Sequence, residues 1–155
     1  MTDTPARTGH TFPTDETLAG LMDQVASGGE DPPVVMLNLN RYRDVASYGD
    51  ERDAEGLSGR HAYLRYGIVA KAAIEAGGGR ILWATDAAAP IIGCDHDAYD
   101  EVVAVWYPST AAFLALNDHP GYPEALQHRD AAIEQAALIP CKADAEPRLT
   151  SPFDA

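Results

Sequence analysis

Arg129 is the residue whose surroundings demand most explanation. It falls within a helix-spaced stripe formed by Tyr122, Ala125, Leu126, Ala132, Ile133 and Ala136, so its guanidinium is carried toward an apolar interior. A buried charge left unpaired is strongly destabilising, so the group must meet a carboxylate, a run of carbonyls or a bound anion. Two readings stand side by side. In one, Arg129 pairs internally with Asp100 or Glu101 of a neighbouring strand; in the other, it is presented to the carboxylate or enolate of a ligand.

Other side chains would complete such a site. Tyr63 and Tyr66 share the sheet-facing stripe of a long helix, and Asn38 lies in a strand, where asparagine is disfavoured unless its amide is engaged. Trp83 and Trp106 lie in strands as well. Aromatic residues at these spacings fill a plain core as readily as they line a ligand box. Two tyrosine hydroxyls with Asn38 and Arg129 nevertheless make a polar corner in an apolar pocket, the usual composition of a small-molecule site. The catalytic candidates are therefore Arg129, Tyr66 and His128, and the ligand-contacting candidates are Asn38, Tyr63, Trp83, Asp100 and Trp106.

His128, beside the apolar stripe, and His119, in a turn, are suited to proton transfer near neutral pH. No two of the five histidines have the i, i+4 spacing that sets imidazoles side by side on a helix, so no metal site is expected. There is no P-loop, no GxSxG and no GxGxxG opening a helix; Gly77-Gly78-Gly79 follows a helix and acts as its stop. No cofactor is expected. The expected function is that of a cofactor-independent enzyme acting on a small apolar or aromatic, enolisable compound. Oxygenation, isomerisation and cyclisation all need stabilisation of an enolate-like charge, so these residues do not separate them. The alternative is a non-catalytic ligand-binding or structural dimer in which Arg129 is paired internally and the aromatics fill the core.

The elements that must position these residues follow from periodicity and caps. Thr14 to Ser27 reads as an amphipathic helix with Leu18, Leu21, Met22 and Val25 on one face and Gly28-Gly29 as its stop. Val34 to Asn40 reads as a central strand with Asn38 and Asn40 on one face. Ser58 caps a helix reaching about Ala76, with Ala62, Tyr63, Tyr66, Val69, Ala70 and Ala73 on its main stripe. Leu57, Leu64, Ile68 and Ala72 form a second stripe, which predicts burial of this helix from both sides.

Strands are expected at Arg80 to Thr85, Pro90 to Gly93 and Tyr99 to Tyr107. Helices are expected from Thr110 to Leu116 and from Tyr122 to Ala136, with a last strand at Leu138 to Cys141. The segment from Asp44 to Gly59 is long for a connection and reads as a lid or a disordered loop. Residues 1–13 and 144–155 read as flexible tails around a single domain spanning 14–143. The order is β-α-β-β-α-β with an extra N-terminal helix, a ferredoxin-like α+β fold with helices on one side of an antiparallel sheet. Its bare face needs a cover, and the same face of a second subunit supplies one, so a homodimer is expected.

Composition narrows the partners. A net charge of -13, without a local basic patch, opposes binding to nucleic acid or to anionic membranes. No apolar stretch approaches a membrane span and residues 1–10 lack a signal-peptide pattern, so a cytoplasmic protein is expected. Cys94 and Cys141, in apolar strand-like runs without CxxC spacing, read as buried free thiols.

Several motifs occur together in order: Tyr63-Leu-Arg-Tyr66, Gly78-Gly79-Arg80, Gly93, Asp100-Glu-Val-Val103, Tyr107-Pro108-Ser109, His119-Pro-Gly-Tyr122 and His128-Arg129. From Val34 to Cys141 the chain thereby resembles the bacterial family known as domain of unknown function 1330. Met36-Leu-Asn-Leu-Asn-Arg-Tyr-Arg43, Tyr48-Gly-Asp50 and Ser58-Gly-Arg60 resemble a longer subgroup of it. The resemblance implies a dimeric α+β barrel, a fold shared with cofactor-free quinol monooxygenases, muconolactone isomerase, some cyclases and the chlorite dismutase group. One fold with so many chemistries does not name a reaction. Arg129 matches the arginine of the family's His-Arg or Leu-Arg motif, and no clear axial histidine supports the haem binding of the chlorite dismutase relatives.

Overall fold

The computed structural model describes residues 10–143. The C-terminal tail and residues 1–9 lie outside them. The strands are β1 (Val34–Tyr42), β2 (Arg80–Asp86), β3 (Glu101–Tyr107) and β4 (Ile133–Lys142), and the helices are α1 (Asp15–Ala26), α2 (Gly59–Ala76), α3 (Thr110–Leu114) and α4 (Tyr122–Ala132). All three strand pairings are antiparallel, in the order β2-β3-β1-β4, which is the ferredoxin-like topology expected. Among the described residues no helix is long and apolar enough to cross a membrane.

Local chemistry sets the helix boundaries. The side chains of Thr14, Ser58 and Ser109 cap α1, α2 and α3 by accepting from the backbone N–H groups of Thr17, His61 and Ala112. The carboxylate of Asp31 adds to the third cap, taking the N–H groups of Thr110 and Ala111 at 2.7 and 2.9 Å. Gly78 ends α2 with φ +81°, and Gly121 opens α4 with φ +84°, both in the left-handed region that favours glycine. Gly59 fits where α2 crosses the chain: a Cβ there would lie 2.3 Å from the carbonyl oxygen of Arg43 and 2.7 Å from that of Ala132.

The helices cover the sheet face that carries Val34, Met36, Asn38, Asn40 and Tyr42. One part of the core joins Val34, Met36 and Val105 of the sheet to Ala70 and Ile74 of α2 and to Tyr122. A second part gathers Tyr42, Ala62, Ala131, Ala132 and Ile133 at the other end of β1.

Several expectations are corrected. Pro90 to Gly93 is not a strand: Ile91 and Ile92 are fully exposed and pair with nothing in the sheet. Helix α4 stops at Ala132, and Ile133 to Ala136 belong to β4, where pairing with β1 outweighs the helical preference of Glu134, Gln135 and Ala136. Cys94 is exposed, with its thiol against Asp97, and Cys141 is partly exposed on β4. The second stripe of α2 is uncovered among the described residues, with Leu64 57% and Ile68 76% exposed.

The 44–59 segment is pinned rather than loose. It carries a 3-10 turn at Glu51–Glu55 and is tied to α4 through hydrogen bonds from Ser47 N–H to the Ala131 carbonyl and from Arg52 to the Gln127 side chain.

Candidate ligand-binding site

A cavity of about 980 Å³ opens between the sheet and the helices. Its apolar walls include Met36 and Val103 from the sheet, Ile74 from α2, Leu126 from α4, and Phe12 and Leu18 from the N-terminal segment. Its polar lining consists of Asn38 and Asn117, the tyrosines Tyr42, Tyr63, Tyr66, Tyr107 and Tyr122, and the charged residues Arg129, Arg60, Glu101 and Lys71. A largely apolar cavity with a few convergent polar groups is the form expected of a small-molecule site.

The tyrosines form a continuous series. Ring centroids lie 5.2 Å apart for Tyr42 and Tyr63, 5.3 Å for Tyr63 and Tyr66, and 5.9 Å for Tyr66 and Tyr122. The tilted packing of these rings is favourable beyond the area it buries. The Tyr66 and Tyr122 hydroxyls lie 3.1 Å apart, and Tyr42 donates to Oε2 of Glu101. Burial raises the pKa of every one of these phenols, and the nearby guanidinium of Arg129 only partly opposes the shift at Tyr63, Tyr66 and Tyr122. They are neutral at physiological pH and available as hydrogen-bond donors.

Arg129 is half-buried. Its Nη1 donates to the backbone carbonyl of Thr11, and its guanidinium lies 5.0 Å from the Phe12 ring centroid. Among the described residues it has no carboxylate within ion-pair distance. The internal pairing with Asp100 or Glu101 is not formed. Asp100 accepts from the Tyr42 N–H at 2.8 Å, and Glu101 faces Tyr42 and Arg60.

Asn38, which lines the cavity, donates through Nδ2 to the carbonyls of Met36 and Val103 at 3.1 and 3.3 Å. Asn40, two residues on along the same face, is 1% exposed. Its amide lies beside the Tyr63 hydroxyl, close enough to oppose the rise in that phenol's pKa. The two are not aligned as a hydrogen bond, so Asn40 Nδ2 is buried without a partner among the described residues.

The structure thus brings together Arg129, Tyr63, Tyr66 and Asn38, and it places the other candidates elsewhere. Trp83 pairs directly with Ala104, and Trp106 alternates with Val105, so both project from the sheet face opposite the helices. A register shift between Ile81 and Trp83 keeps Ile81 on the cavity side while turning Trp83 away. His128 lies outside the cavity lining, its Nδ1 2.8 Å from the Tyr48 hydroxyl. Asp100 supports the end of β1 and does not line the cavity.

Sequence reasoning passed over Tyr42, Tyr122, Arg60 and Asn40, and treated Glu101 only as a possible partner for Arg129. The alternation of Asn38, Asn40 and Tyr42 along β1 was the signal that could have found Asn40 and Tyr42. Among the described residues no three His, Cys, Asp or Glu side chains gather as a metal-ligand set.

Comparison with known proteins agrees with this architecture. The family model described as domain of unknown function (DUF1330) matches residues 57–140. The crystal structure of methylated RPA0582 protein is similar at 36% identity and a TM-score of 0.76, over 87% of this chain and 95% of that one. A second structure, the RPA0582 protein of unknown function from Rhodopseudomonas palustris, is similar at 35% identity and a TM-score of 0.74, over 87% and 97% of the two chains. No curated protein matches.

Proposed function

Because the chain belongs to the DUF1330 family, which fixes a fold and names no reaction, we propose its function from the cavity: it is a cofactor-independent enzyme acting on a small aromatic, enolisable acid. One observation carries this reading. Arg129 lines an apolar cavity without a carboxylate partner among the described residues, beside tyrosines held neutral by burial.

A ligand carboxylate supplies the missing counter-charge, and a guanidinium offers it a paired set of donors. Tyr63 and Tyr66 direct hydroxyl donors at a second oxygen, where negative charge grows as the compound enolises. The apolar walls lower the local dielectric and strengthen each of these contacts. The protein acts as a homodimer in this reading, each bare sheet face, with Leu37, Leu39, Trp83 and Ile139, covering its counterpart. The 45% exposure of both Trp83 and Ile139 supports that cover.

Thermal unfolding with benzoate, phenylacetate and hydrocinnamate, against the matching primary amides, tests the cavity reading. A ligand at 100 times its Kd adds about 2.7 kcal/mol to the folded state, so a binding acid gives a saturable rise in Tm. The acids are expected to raise Tm and the amides to do so weakly. Equal shifts from acid and amide, or none from any acid, would overturn it.

A further inference from the structure

We propose that Glu101 is the proton-accepting catalytic residue of this cavity and that its substrates are aromatic 2-oxo acids, which pair a carboxylate for Arg129 with a C–H acidified by the adjacent carbonyl. The inference rests on the cavity reading above and extends it to a base and a substrate class. Among the described residues lining the cavity, Glu101 is the one carboxylate, and no histidine lines it. The other ionisable groups there are Arg60, Arg129, Lys71 and the phenols, all of them proton donors near neutral pH. His128, one of the two histidines suited by position to proton transfer, is occupied by Tyr48 outside the cavity.

The geometry around Glu101 divides its two oxygens. Oε2 accepts from the Tyr42 hydroxyl and lies 3.5 Å from Nη1 of Arg60. Arg60 is itself held by Asp86 at 3.0 Å and by the Tyr42 ring at 5.1 Å. Every one of these contacts to Glu101 uses Oε2, leaving Oε1 without a partner among the described residues. The carboxylate is anchored on one side and open on the other, with its side chain only 17% exposed.

The surroundings also provide for the charge such a step creates. Asn40 is the register partner of Glu101 across the β1–β3 ladder and holds the buried donor Nδ2, which has no hydrogen-bond partner among the described residues. The Tyr63 ring packs 5.2 Å from that of Tyr42, whose hydroxyl holds Glu101, so a second neutral phenol stands next to the one that anchors the base.

The step balances without an oxidant or reductant. Oε1 of Glu101 takes a proton from C3 of the 2-oxo acid, the C–H electron pair becomes the C2–C3 double bond, and the carbonyl pair moves onto the C2 oxygen. The resulting enolate accepts hydrogen bonds from the neutral tyrosines, and return of the proton from Glu101 to carbon restores the acid.

Phenylpyruvate in deuterated buffer tests this, with loss of the C3 proton signal followed by NMR and binding followed by the rise in Tm. The wild type is expected to speed exchange above the buffer rate. Glu101→Gln should lose about 100-fold or more of that acceleration while keeping the Tm rise, since general-base catalysis contributes about 10²- to 10⁴-fold. Glu101→Asp keeps the charge beside Arg60 but withdraws the oxygens by one methylene, and its partial loss of exchange decides the matter should the glutamine variant not fold.

Binding without wild-type exchange, or exchange at the wild-type rate in a folded variant, overturns Glu101 as the base and leaves the cavity reading standing. A Tm rise with benzoate but none with phenylpyruvate overturns the substrate class alone. No rise with any acid overturns both.

Discussion

Replacing Arg129 by leucine asks whether the guanidinium serves a ligand or the fold. In the free protein the side chain holds the Thr11 carbonyl and lies over Phe12, with no carboxylate to lose among the described residues. An exposed cation–π contact contributes about 0.5–1 kcal/mol, and leucine recovers part of the apolar contact with its neighbours, so the folding cost should stay near 1 kcal/mol. For a chain of this length that lowers Tm by about 2–4 °C.

The cost to an aromatic acid is larger. A hydrogen bond to a charged group is worth about 1.5–3 kcal/mol, and the half-buried setting of Arg129 points to the lower part, about 1.5–2 kcal/mol. At about 1.4 kcal/mol per tenfold, that is roughly a 10- to 30-fold rise in Kd. Isothermal titration with hydrocinnamate, alongside urea unfolding of both proteins, measures the two quantities separately. Arg129→Lys, which keeps the charge but not the planar fork, should fall between them. A leucine variant that binds the acid as the wild type does, or one that no longer folds, would refute the reasoning.

Three further outcomes are expected. Tyr66→Phe leaves the Tyr122 hydroxyl without its partner at 3.1 Å and should cost about 1 kcal/mol in urea unfolding, whereas adding Tyr122→Phe should cost little more; fully additive losses would show that the hydroxyls do not interact. Burial, and then Arg65 and Arg52, hold the His128 imidazole below its ordinary pKa of 6.5, so the folded state takes up this proton less readily than the unfolded one. Stability from this site is therefore complete above pH 6.5 and declines as pH falls through the lowered folded value, and proteolysis within 44–58 should increase over the same range. A His128→Gln variant that keeps the whole pH response would contradict this. In sedimentation, the wild type should run as a dimer and Ile139→Glu as a monomer, because the charge falls on the bare sheet face beside Leu37; a wild-type monomer would remove the dimer.

The fold was legible wherever caps and periodicity agreed. Ser58 caps the helix that its position predicts, Thr14 and Ser109 stand at the starts of two more expected helices, and Val34 to Asn40 forms the expected strand with Asn38 and Asn40 on one face. Legibility failed where long-range pairing overrode local preference. Ile133 to Ala136 continue the helical stripe of α4 in composition, yet β1 offers them a ladder and they extend along it. Ile91 and Ile92 look like a strand because they are apolar and β-branched, but no strand lies beside them.

The site was legible on the side contributed by helices and β1, where Tyr63, Tyr66, Arg129 and Asn38 meet as their spacing implies. It was hidden on the side contributed by β2 and β3. The register shift beside Trp83 reverses which residues face inward, and a glutamate at the start of a strand looks like any exposed end charge. His128 sits one position from Arg129 on the helix, a rotation of about 100° that carries it to the 44–59 segment instead of the cavity.

Helix α4 passes into β4 with no residue between Ala132 and Ile133. This joint has no tolerance for a change in length. One inserted residue on the helical side would turn Arg129 by about 100° away from the tyrosines, and one on the strand side would exchange the two faces of β4 and move Leu138 out of the cavity wall. Homologues that bind through the same arginine should therefore vary in length in the 44–59 segment and the 87–94 turn while keeping the distance from Arg129 to Ile133 at four residues.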